Sequence, residues 1–243
     1  MTLQELRDAV DKATSEDGRA WLAAALEAVA ADPTAIRGRF PAVGRKVGRG
    51  PLPGYEDVDD LFAWHVDDAA RTLLIAALGD GLGDELHGLY RHGDAAERRG
   101  VLRALEVVDV GDLGEQIVAD AVRTNDLRLI AAAMSPYALE RMDDDWVAQA
   151  VLKCVFVGIP LQPIRGLDRR VTPKLSRMLA GFAHERVAAG RSVPADIWPL
   201  VDRFPPEDEL AAIEAELHHD VAERREAAAA ALEDRRRAAA TIS

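Results

Sequence analysis

Apolar residues in this chain recur at steps of three and four rather than two, and that spacing limits what it can fold into. From Leu3 to Ala31 the positions Leu6, Val10, Trp21, Leu22, Leu26 and Val29 follow it, with a break near TSEDG. Two helices are expected there, the second capped by Ser15. DVDDLFAWHVDDAARTLLIAAL reads as a short helix and then a longer one from Asp67, with Ala70, Leu73, Leu74 and Leu78 on one side. Aromatic residues make up only 5% of the chain and Ala, Leu, Arg and Glu are abundant, a balance that favours helix over sheet. The fold class is all-α.

A weak internal repeat adds architecture. RHGD (residues 91–94) and RTND (residues 123–126) each precede an apolar-periodic run, and Asp94 and Asp126 stand 32 positions apart. Each aspartate is placed to cap the helix that follows by accepting its unpaired amide hydrogens. This suits stacked antiparallel helix pairs in a HEAT-like α-solenoid, where neighbours bury the apolar face that one pair cannot bury alone.

Further on, DDDWVAQAVLKCVFVGIPL is apolar nearly all round and is expected to run through the middle of the packing, ending at Pro160 and Pro163. TPKLSRMLAGFAHERVAAGR begins with a cap at Thr172 and proline in the first turn. From Glu207 to about Arg237 a single long helix is expected, with acids early and basic residues late. Its apolar stripe is narrow, and the alanines at 227–231 are expected to add helix propensity more than packing. The resulting division is a helical-repeat domain over residues 1–205 and a protruding C-terminal helix and tail over 206–243.

The formal net charge is −12, with 42 acids against 30 Lys and Arg, which argues against a general nucleic-acid binder. Cys154 is the only cysteine, so an intrachain disulfide framework and a cysteine-built zinc site are excluded. No stretch reads as a secretory signal or a membrane span. A cytoplasmic protein is expected.

Against that acidic background, FPAVGRKVGRGPLPG (residues 40–54) carries Arg45, Lys46 and Arg49 and no acid, among four glycines and three prolines. Proline and glycine disfavour regular structure, so the cations are expected on a loop. Two readings stay open: a solubilising loop held by the chain's own acids, or an anion site in which Arg45 and Arg49 clamp one group, Lys46 adds charge and the amides of Gly44 and Gly48 approach closely. Lys153, inside an apolar segment, is a second candidate, against the plainer reading of a snorkelling or acid-paired lysine.

The familiar catalytic constellations are missing. Of the six histidines only His219 has a glutamate three residues earlier, Glu216, and a carboxylate-bridged metal site needs two such pairs. The clusters DVDD and MDDD lack the spacing of a magnesium site and are explained by helix capping. There is no G-x-S-x-G, P-loop or H-E-x-x-H. His184 and Glu185 are adjacent on a helix and point apart. No catalytic residue, metal or cofactor is assigned.

Taken in order, FPAVGRKVGRGPL, RHGDAAERRGVLRAL, RTNDLRLIAAA, VLKCVFVGIPL and FAHERVAAGRSVPADIWPL resemble the EboA family of bacterial proteins, over about residues 20 to 205. The resemblance implies a helical-repeat protein from gene clusters that include a prenyltransferase, a metal-dependent hydrolase and a sugar-isomerase-like protein, linked to moving metabolite precursors towards the cell envelope. It carries no catalytic motif. Its recurring blocks include Gly44, Arg45, Gly48 and Arg49, the RHGD and TND turns, and Lys153 with Cys154.

The expected function is a non-catalytic scaffold or binder in metabolite traffic that holds an anionic group at Arg45, Lys46, Arg49, Gly44 and Gly48, with Lys153, Arg91, Asp94, Asn125 and Asp126 as further pocket candidates. Its partners would be other proteins of the pathway and an anionic small molecule. The alternative is a small helical enzyme acting on a phosphorylated or prenylated metabolite.

Overall fold

Thr2 opens the first helix with reciprocal bonds: the Glu5 amide donates to Thr2 Oγ1 at 3.2 Å and the Thr2 amide to a Glu5 carboxylate oxygen at 2.7 Å. The computed structural model describes residues 1–242 of the chain. They form two compact units, Met1–Arg141 and the residues from Met142 on. No strand is present among the described residues beyond one isolated bridge, Pro51 with His65.

The first unit holds α1 (Leu3–Ala13), α2 (Glu16–Ala31), the single turns α3 (Ile36–Arg39) and α4 (Val43–Lys46), α5 (Val66–Ala76), α6 (Leu82–His92), α7 (Ala95–Ala104), α8 (Glu115–Arg123), α9 (Leu127–Ala133) and α10 (Pro136–Arg141). Ser15, Asp94 and Asp126 cap α2, α7 and α9 as the sequence indicates. The centre of the unit is α5, which packs on α1, α2, α4 and α7 and is buried from Val66 through Ile75, charged residues included. The short helix expected from DVDDLFAW is replaced by turns. Arg103 of α7 holds them in place: it donates to the Leu61 carbonyl at 3.1 Å and lies over the Trp64 ring, 5.7 Å from its centroid.

The second unit holds α11 (Asp144–Val157), α12 (Pro173–Ala188), α13 (Trp198–Val201), α14 (Glu207–Ala215) and α15 (Ala222–Ile242). Asp143 and Thr172 cap α11 and α12, and Gly158 closes α11 in the left-handed conformation at φ 81°. Contrary to the all-round burial expected of α11, this helix keeps an open stripe: Gln149 is exposed and Phe156 is 77% exposed.

The expected long helix from Glu207 is interrupted between α14 and α15. The interruption is stable because side chains satisfy it: Arg225 donates to the carbonyls of His219 and Asp220, and His219 Nδ1 accepts the Val221 amide. α15 also does not protrude. It packs on α12 and α13, burying Ala227, Ala228 and Ala231, while Arg235 donates to Asp202 at 2.8 Å. The alanine run therefore packs, because small side chains let helices approach closely.

Candidate functional site

Residues 40–50 are partly helical rather than a plain loop. Phe40–Ala42 makes a tight turn and leads into α4, so Arg45 and Lys46 sit on a helical turn whose inner face is anchored by the buried Phe40, Val43 and Val47. Pro41 fits because the first turn of a helix has no use for its missing amide hydrogen. The chain then reverses through Gly48 at φ 99° and Gly50 at φ 106°, conformations that favour glycine.

This places Arg49 back over the turn. A Cβ on residue 44 would lie 2.7 Å from Arg49 Nε, so Gly44 makes room for that guanidinium. Arg45, Lys46 and Arg49 are all exposed, and none forms an ion pair among the described residues. Arg45 does act at longer range on Glu97.

Beside this segment the first unit has a cleft of about 540 Å³, whose lining includes Arg37, Phe40, Glu85, Leu89, His92 and Glu97. Arg37 closes a forked ion pair inside it: Nε and Nη2 donate to the two Glu85 carboxylate oxygens at 2.9 and 2.7 Å. Burial holds the Glu97 carboxyl above its usual range, with nearby Asp94 adding to the effect and Arg71 and Arg45 opposing it.

Arg71 lies over the Phe40 ring, 5.6 Å from its centroid, and belongs to a buried charge network. Within α5 it donates to Asp67 at 2.6 Å; across to α7, Asp68 receives Arg99 at 3.2 and 3.0 Å; Arg103 pairs with Glu106 at 2.9 Å. Burial raises the Asp68 carboxyl, and Arg99 works against that rise. Charges so deeply buried survive only when matched.

The other expected pocket residues divide. Arg91 and Asp94 flank His92 and Gly93, which line the cleft; Asp94 itself caps α7 and accepts the Glu97 amide at 2.8 Å. Asp126 is engaged as the cap of α9 and in a forked pair with Arg128, which holds its carboxyl below the usual range. Asn125 lies in the turn before α9, and Lys153 is half-buried on α11 of the second unit. Arg45 and Arg49 stand outside the lining of the cleft. Cys154 is fully buried, and burial pushes its thiol up to about 12.

Sequence reading missed Glu85 and Arg37 as partners. The available signal was that Glu85 falls on the apolar stripe of α6 with Leu82, Leu86 and Leu89. Among the described residues, no group of three or more His, Cys, Asp or Glu side chains is placed to hold a metal ion, and no helix is long and apolar enough to cross a membrane.

The fold and the cleft define an all-helical protein with a small-molecule-sized recess beside a cationic turn that forms no ion pair among the described residues. The sequence profile of the family described as "Metabolite traffic protein EboA" matches residues 2–202, and the chain belongs to that family. No curated protein and no solved structure matches it.

Proposed function

We propose that this chain is a non-catalytic helical scaffold of the solenoid type, acting in cytoplasmic metabolite traffic, and that Arg45, Lys46 and Arg49 bind an anionic group. The observation that carries this reading is three exposed cations on one turn, in a stretch without an acid. Arg71, Arg99, Arg103, Arg141 and Arg177 each hold one of the chain's own carboxylates, whereas the three cations of the turn hold none among the described residues. Exposed pairs stabilise a fold by only about 0–1 kcal/mol, so leaving these donors unpaired costs the fold little and keeps them available to an external anion. Gly44 and Gly48 shape the turn that brings Arg49 back over residue 44.

Calorimetric titration with inorganic pyrophosphate at low and high salt tests the reading. Saturable binding that weakens with salt is expected. The double variant Arg45→Ala, Arg49→Ala should bind about 10-fold more weakly or worse, with a melting temperature within about 2 °C of the parent. Undiminished binding in the double variant, or a collapse of its melting temperature, would show that these arginines serve the fold.

A further inference from the structure

The cleft beside the cationic turn has the opposite sign. Its lining brings Asp84, Glu85 and Glu97 together with one guanidinium, Arg37, while Phe40, Pro41 and Leu89 supply an apolar wall. Its volume of about 540 Å³ falls in the range of small-molecule sites. Neither Asp84 nor Glu97 forms an ion pair among the described residues.

The Arg37–Glu85 pair decides which charge a ligand can carry. The Glu85 side chain is 5% exposed and fixed in α6, whereas Arg37 is 66% exposed and reaches in from the single turn α3. Nε and one Nη2 hydrogen of Arg37 are committed to Glu85; an anion taking this edge would leave a buried carboxylate without a counter-ion, a strongly unfavourable state, and one on the outer Nη1 edge would meet a 66% exposed guanidinium whose charge Glu85 already offsets. A cation faces no such obstacle: it takes Arg37's place on Glu85, and the guanidinium turns into the water that already surrounds most of it.

We propose that this cleft binds a small organic amine in its ammonium form, with Glu85 receiving the charge in place of Arg37 and the carbon skeleton lying on Phe40, Pro41 and Leu89. Glu97 and Asp84 reinforce the preference for a cation from the same lining. The site uses none of the residues of the anion reading, so either can fail alone.

Phenethylammonium and 3-phenylpropionate, matched in shape and opposite in charge, are the probes, titrated by saturation-transfer NMR at low salt. Phenethylammonium should bind saturably, and 3-phenylpropionate at least about 10-fold more weakly. Glu85→Gln should weaken the amine about 10-fold or more, and Arg37→Ala should tighten it by removing the competing cation. Because either change disturbs a buried pair, Gly88→Phe provides an independent check: a Cβ at residue 88 meets nothing within 4 Å, and the ring beyond it is placed to fill the cleft that residue 88 lines, with an unchanged melting temperature as the control that the fold is kept. It should abolish amine binding, and Arg45→Ala with Arg49→Ala should leave that binding undiminished. Equal or tighter binding of 3-phenylpropionate, parent-like amine binding by Gly88→Phe, or no saturable amine binding up to about 10 mM would overturn the proposal.

Discussion

Arg71 of α5 occupies the space in which any side chain at Gly100 of α7 would have to stand: a Cβ built on residue 100 falls 2.6 Å from Arg71 Cδ and 3.1 Å from its Cβ. The close approach of the two central helices thus depends on a missing methyl group. Gly100→Ala should destabilise the protein by about 1–3 kcal/mol through overpacking, outweighing the gain of about 1 kcal/mol from helix propensity. Gly88→Ala, in open space on α6, should stabilise it. Urea denaturation of both variants checks this opposition of sign.

Removing one member of the buried Asp67–Arg71 pair leaves the other without a counter-ion. Arg71→Met should cost about 3–5 kcal/mol, and adding Asp67→Asn should recover part of that loss. A double-mutant cycle measured by chemical denaturation tests the coupling; additive losses would contradict it.

Cys154 should be nearly inert in the native protein. With its thiol pushed up to about 12, only roughly one molecule in ten thousand carries the thiolate at pH 8, and the sulfur is buried as well. Stopped-flow reaction with an aromatic disulfide reagent should be slow until denaturant is added. A rate near that of free cysteine would show that the helix opens readily.

The junction of α14 and α15 should be acid-labile. Arg224 donates a forked pair to Glu216 and holds its carboxyl below the usual range, an effect that burial opposes and that His219 and His184 assist. A depressed carboxylate contributes stability that is complete above its unfolded pKa of about 4.3 and is lost as pH falls through the folded value. Melting temperatures recorded from pH 6 down to about pH 3 should therefore fall less steeply for Glu216→Gln than for the parent.

The sequence discloses what depends on near neighbours. Ser15, Asp94, Asp126 and Thr172 cap helices because capping is settled within three residues, and Cys154 is buried because its surroundings in the chain are apolar. What stays hidden depends on distant partners. Asp67, Asp68 and Arg71 look like the solvent side of α5, yet they lie inside because Arg99 arrives from 31 residues away to match Asp68. Glu85 and Arg37 are likewise separated by 48 residues. Periodicity locates helix faces but does not say which charges will meet, so the cleft was illegible while the turn beside it could be named.

The packing of α15 bears on how the gene is cut for expression. The family match stops at residue 202, but Arg235 reaches back to Asp202, and Ala228 and Ala231 lie against a unit whose interior includes Trp198. A fragment trimmed to the matched region would strip the cover from α12 and α13 and present bare apolar surface to water, an invitation to aggregate. The unit of homology and the unit of solubility end at different residues.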